Sequence, residues 1–174
     1  MNVVRLMDGL GNQMYQYAFG QALAFMESEV CYDVSWFTKG ARRTYGLDKF
    51  NANIKLHTFQ EDKPTLSPGR FPDIERIDDT NFTGFWQERK YYVHILSDLR
   101  KQLLVKKEFY TPEFIALRKK ISSSNSVSIH VRRGDIAKVM PYCILPMEYY
   151  TEALDRLRAV RKVDHVYIFS DDIA

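Results

Sequence analysis

Three short segments carry side chains whose types and spacing suit chemistry. The first is His130-Val131-Arg132-Arg133-Gly134-Asp135. Strand alternation would put His130 and Arg132 on one side and Val131 on the other. Guanidinium groups can grip phosphate oxygens two at a time, and Asp135 can orient one of them. A solvated charged turn is the plain alternative. Arg133-Gly134-Asp135 is also the tripeptide of adhesion sites, but here it follows an apolar strand in a chain that reads as cytoplasmic.

The second segment is Gly9-Leu10-Gly11-Asn12-Gln13, after a short apolar run. Glycines permit a tight turn and close approach of a ligand to the backbone. A helix starting there offers free N–H groups and a partial positive charge, both suited to phosphate. The spacing is not GxGxxG, because Met14 stands at the third glycine position, and a ligand-free βα turn would look the same. The third segment is Phe169-Ser170-Asp171-Asp172. Paired acids at a strand end can bind a base or ribose, hold a metal or cap a helix, and capping is their commonest role.

His57, His94, His130 and His165 have no metal-ligand spacing, so no metal site is expected. Cys31 and Cys143 lie far apart with no CxxC partner, and two reduced thiols are the reading. Trp86, Tyr91 and Tyr92 could stack on a sugar, though core packing is the commoner fate of such residues.

These segments need elements to hold them. Residues 2–7 suit a buried strand, 12–27 a largely buried helix and Val30–Val34 a second strand, together a βαβ unit with a parallel sheet. Residues 62–73 carry Pro64, Pro68, Gly69 and Pro72 and read as an exposed loop. Residues 91–107 show helical spacing. Thr111-Pro112-Glu113 is a strong helix start, and that helix should run to about Ile121. Ser122-Ser123-Ser124-Asn125-Ser126 reads as a linker. After it, Val127–Val131 and His165–Phe169 read as strands, Arg132–Asp135 as a polar turn, and Pro146 to about Val160 as a helix. This is a second βαβ unit. The expected domains are therefore 1–121, a linker at 122–126, and 127–174 as the opening part of a second domain.

The composition is that of a globular protein. The chain has 174 residues, 45% hydrophobic and 27% charged, which excludes disorder as its main state. The net charge of +3 is too small to argue for nucleic acid or a membrane surface. No apolar stretch approaches the ~20 residues that cross a bilayer, and Met1–Met7 lacks the apolar run of a signal peptide. The expectation is a cytoplasmic protein, with peripheral attachment at the inner membrane left open.

Taken together, the motifs resemble family 11 glycosyltransferases, the α-1,2-fucosyltransferases, and among them the bacterial soluble ones. Asp8-Gly9-Leu10-Gly11-Asn12-Gln13-Met14-Tyr15-Gln16-Tyr17-Ala18 stands where that family has Gly-Gly-Leu-Gly-Asn-Gln-Met-Phe-Gln-Tyr-Ala. Tyr45–Phe50, Gly84–Tyr92, His130–Asp135 and Tyr167–Asp172 resemble its later landmarks, in the same order along the chain.

The resemblance implies an α/β, GT-B-like fold of two Rossmann-type domains with parallel sheets, the second incomplete here. It implies inverting transfer of fucose from GDP-β-L-fucose to the 2-hydroxyl of a terminal galactose on a glycan acceptor, with no metal or other cofactor. Cationic side chains would neutralise the departing GDP. Arg132 would grip the diphosphate and Arg133 assist. His130, Ser170, Asp171 and Asp172 would lie near the guanosine. Gly9, Gly11 and Asn12 would reach the phosphates or the reacting hydroxyl, and Asp135 is a candidate general base.

Two residues depart from the pattern. Asp8 replaces a glycine, which is unfavourable beside phosphate unless the carboxylate points away or is paired. Tyr15 replaces a phenylalanine. Family members are also longer, so the chain is expected to be an N-terminal portion. A protein O-fucosyltransferase-like enzyme and a non-catalytic glycan- or nucleotide-binding module are the alternatives. Acceptor, oligomeric state and source are not legible in the sequence.

Overall fold

A computed structural model describes residues 1–38, 40–70 and 76–172, with Arg70 and Asp135 described by backbone only. The chain is mixed α/β with parallel sheets and divides into two compact units, Met1–Phe109 and Tyr110–Ala174.

In the first unit, strand β1 (Asn2–Arg5) is followed by helix α1 (Leu10–Phe25) and strand β2 (Val30–Asp33). Strands β3 (Thr65–Leu66) and β4 (Asn81–Phe82) complete a four-stranded sheet in the order β2-β1-β4-β3, parallel throughout. β1 is central, and Val3 and Val4 are wholly buried, as a doubly flanked parallel strand requires. Helix α1 turns Tyr17, Phe19, Ala22 and Leu23 inward. Phe19 stacks on Trp86 at 3.8 Å between ring centroids, and Phe82 and Tyr91 meet the pair edge-on. Trp86 and Tyr91 therefore belong to the core.

Two local readings of the sequence change here. Only Leu96–Gln102 of the 91–107 stretch forms an α-helix (α2), preceded by 3-10 turns at Arg89–Tyr91 and Val93–Ile95. Aromatic and β-branched residues at 91–93 lose rotamer freedom in a helix. The tight turns still bury Tyr91 and Ile95, and α2 buries Leu99. Beyond the helix, an antiparallel bridge from Phe50 to Val105 takes the chain into extended form. Within 62–73, Thr65–Leu66 pairs as an edge strand and Pro68–Arg70 makes a 3-10 turn. Residues 71–73 of that expected loop lie outside the described residues.

The second unit runs α3 (Pro112–Ser122), β5 (Ser126–Val131), α4 (Gly134–Val139), α5 (Met147–Val160) and β6 (His165–Ser170). Thr111 caps α3 as its sequence demands: its hydroxyl accepts from Phe114 N at 3.2 Å, with Pro112 opening the helix. α3 groups with this unit. The serine run forms the turn from α3 into β5, where the Ser123 and Ser124 hydroxyls donate to the Lys120 carbonyl. β5 and β6 pair in parallel from Ser126–His165 to Val131–Ser170. Both cysteines are free thiols, Cys31 buried in the first unit and Cys143 exposed in the second. No helix among the described residues is long and apolar enough to cross a membrane.

Candidate functional site

The expected site residues fall into two groups, one in each unit. In the first unit the Gly9–Gln13 segment leaves the carboxyl end of β1, the end at which open parallel sheets hold ligands. The left-handed residue of the turn is Asp8, at φ +66°. This is the position where the resembled family has glycine, and an aspartate tolerates that conformation better than most residues. Gly9 is extended at the helix N-cap position and supplies no capping side chain. A Cβ built on Gly9 or Gly11 meets nothing within 4 Å. Neither packing nor φ requires glycine at these two positions, and both leave bare backbone facing open space.

Buried glutamines fix this turn. Gln13 donates to the carbonyls of Asp8 (2.9 Å) and Thr44 (3.0 Å) and accepts from Gly46 N (3.0 Å). Gln16 accepts from Met7 N at 2.8 Å and donates to the Gly84 carbonyl at 3.1 Å. The two side chains thereby tie the β1–α1 turn to two other loops. At its outer edge Asn12 donates to the Asp8 carboxylate at 3.0 Å and accepts from Gln87 at 2.7 Å. Asp8 is thus paired with an amide. A cavity of about 320 Å³ opens beside the turn, lined by Gly9, Leu10, Arg43, Tyr45, Lys49 and Phe109 among others.

In the second unit the motifs meet because β5 and β6 are neighbours in register. Val131 pairs with Ser170, so the chain beyond each strand leaves from the same end. Asp171 Oδ1 accepts from Arg133 N at 2.7 Å and from Gly134 N at 3.0 Å. These bonds, Gly134 first, hold its carboxyl below the usual carboxylate range, and the Arg132 charge adds to the effect. The Arg133 guanidinium donates to the Leu145 carbonyl at 3.2 Å. Ser170 donates to the Asp172 carbonyl and accepts from Asp172 N, a closed serine turn. Arg132 and His130 are exposed. The Asp135 side chain lies outside the described residues.

Arg132, Arg133, Ser170, Asp171 and Asp172 are therefore gathered at one sheet end, with His130 two residues before Arg132 on β5. Gly9, Gly11 and Asn12 form a separate constellation in the first unit. Sequence reasoning gave Gln13, Gln16 and Gln87 no role of their own, although all three stand in the motifs it singled out. The signal for the first two was a polar pair three residues apart on a helix expected to be buried. Among the described residues no group of three or more His, Cys, Asp or Glu side chains is placed to hold a metal ion.

The family model described as Glycosyl transferase family 11 matches residues 1–174. The chain belongs to glycosyl transferase family 11. Curated proteins similar to it include the alpha-1,2-colitosyltransferase of Escherichia coli. That protein is 28% identical over 98% of this chain and 69% of its own length. The O-antigen biosynthesis glycosyltransferase WbnK of Escherichia coli is 24% identical over 97% of this chain and 72% of its own. The galactoside 2-alpha-L-fucosyltransferase Sec1 of Mus musculus is 25% identical, with all of this chain matching half of that protein. Family 11 membership makes the chain's chemistry glycosyl transfer, and the arginine-bearing turn and the glycine turn are its two candidate site segments.

Proposed function

We propose that this family 11 chain serves inverting transfer of L-fucose from GDP-β-L-fucose to the 2-hydroxyl of a terminal galactose, in glycan or surface-polysaccharide synthesis. The observation that carries the reading is the Arg132-Arg133-Gly134 turn, held at the carboxyl end of a parallel strand pair. A departing nucleoside diphosphate gains negative charge as the sugar–oxygen bond breaks. Fixed guanidinium groups stabilise that charge more in the transition state than in the ground state.

In this reading Arg132 pairs with the diphosphate, while Arg133, anchored on Leu145, adds charge beside it. His130, Ser170 and Asp172 border the nucleoside. The acceptor oxygen attacks the anomeric carbon opposite the leaving phosphate. As that bond forms, the electron pair of the breaking bond passes to the β-phosphate. The hydroxyl proton needs an acceptor within hydrogen-bond reach. Asp135 is the candidate, and the leaving phosphate is the other. Gly9, Gly11 and Asn12, in the first unit, carry backbone N–H groups and an amide of the kind that suits phosphate or a sugar hydroxyl.

A second donor has support from one similar protein, whose name gives colitose, the 3-deoxy form of L-fucose. The decisive experiment is calorimetry with GDP on the full-length protein and its Arg132→Ala variant, followed by transfer assays with GDP-fucose and GDP-colitose. The expected result is GDP binding weakened about tenfold or more in the variant, as for loss of a charge-assisted bond worth ~1.5–3 kcal/mol. Unchanged GDP affinity overturns the reading, and transfer from GDP-colitose alone replaces the donor.

A further inference from the structure

Asp171 sits one residue past the end of β6, and its carboxylate reaches back to the chain leaving β5. One oxygen accepts from two successive backbone N–H groups, those of Arg133 and Gly134. The other lies 3.0 Å from where a Cβ on Gly134 would stand, so a side chain at position 134 would press on the carboxylate and ask it to give by a few tenths of an ångström. Arg132 immediately precedes these two residues, and its backbone direction is set by them. The Arg133 and Gly134 N–H groups are consumed by Asp171 and are not donors for a phosphate. An anion at this turn would therefore meet the arginine side chains rather than these two N–H groups.

We propose that Asp171 is a positioning residue, whose carboxylate locks the Arg132–Gly134 turn and so aims Arg132 at the donor's diphosphate, rather than a group that reads the guanine base. The proposal rests on the GDP-sugar reading given above. The depressed pKa of Asp171 accords with it, because the lock then stays charged through the working pH range.

The two roles separate by ligand. A positioning residue alters binding of the diphosphate whatever is attached to it, and a base-reading residue alters only nucleotide binding. In the full-length protein, GDP and inorganic pyrophosphate affinities are measured for wild type, Asp171→Asn and Asp171→Ala. Asp171→Ala should weaken both ligands by the same factor, about tenfold. Asp171→Asn, which keeps one acceptor oxygen, should fall between wild type and alanine. Gly134→Ala, which presses on the carboxylate without removing it, should shift both ligands in the same direction as Asp171→Ala. In transfer assays KM for the donor should rise while KM for the acceptor stays put, a split that general loss of folding would not give.

GDP weakened with pyrophosphate unchanged overturns the proposal and returns Asp171 to the base. Equal affinities in all variants overturn it as well. The lock itself has an independent readout: the Arg133 and Gly134 amide resonances should titrate with the Asp171 carboxyl and stop doing so in Asp171→Asn. If those amides titrate but wild type binds neither ligand, the GDP-sugar reading has failed and the proposed role falls with it. If wild type binds both but the amides are indifferent to Asp171, the positioning role alone has failed.

Discussion

The phenol of Tyr32 fills the space that a side chain at position 20 would need. A Cβ on Gly20 would stand 2.5 Å from the Tyr32 hydroxyl oxygen and 2.7 Å from the ring. The ring cannot swing away cheaply. It is buried, and its hydroxyl donates to the Tyr17 carbonyl and accepts from Gln21. Gly20→Ala gains ~1 kcal/mol of helix propensity but overpacks the core at ~1–3 kcal/mol. We expect a net loss of stability in urea denaturation, relieved when Tyr32→Leu is added.

Arg5 and Asp33 form an ion pair between β1 and β2. Asp33 is only 1% exposed, and Arg5 reaches it at 2.9 Å while lying over the Phe59 ring. Removing the arginine leaves a buried carboxylate that still accepts from the Ser35 N–H. Arg5→Met should cost ~3 kcal/mol, the low end for breaking a buried pair, since Arg5 itself is 30% exposed. Arg5→Met/Asp33→Asn should cost less than Arg5→Met alone. Thermal denaturation of the three variants measures both.

Gln13 makes three hydrogen bonds from a fully buried position. Gln13→Leu keeps the volume and strands a buried N–H and two carbonyls, so a loss of ~1–3 kcal/mol is expected. The Gly46 amide should exchange with solvent faster in the variant. Protection of Gly46 equal to wild type would show that the staple is dispensable.

Asp164 ties the start of β5 to the start of β6. It accepts from Lys162 at 2.8 Å and from the backbone and side-chain amides of Asn125. The Lys162 bond and then the Asn125 N–H pull its carboxyl down to about 2, from a usual 3.8. A folded pKa below the unfolded one stabilises above the unfolded value, and that contribution is lost as pH falls from about 4 through about 2. The Asn125 amide resonance should shift with a midpoint near 2, and Asp164→Asn should abolish the shift.

Much of this was written locally. Thr111-Pro112 announces its helix because capping and proline geometry act within a few residues. The strands β1, β2, β5 and β6 were readable from apolar runs and the breaks that follow them. The strands β3 and β4 were not, because each is two residues long and exists through its partners. Asn81 and Phe82 are strand residues because Val3 and Val4 lie on one side of them and Thr65 and Leu66 on the other. For the site, residue types and their order pointed to both segments. Their fastening was hidden, since the Asp171 bonds join residues 37 and 38 positions apart and Gln13 joins its turn to residue 46.

The strand order of the first unit also bears on how the chain is made. β1 and β2 emerge early from the ribosome, but the other flank of β1 belongs to β4, and Phe82, Trp86 and Tyr91 all pack their rings on Phe19. Until synthesis has passed those residues, one edge of β1 and an aromatic face of α1 lie open. Parallel pairing across such sequence separations is slow, and unpaired apolar edges are where nascent chains stick to one another. Nascent chains halted before Asn81 should therefore be bound by holding chaperones, and release should come only after Tyr91 has cleared the exit tunnel.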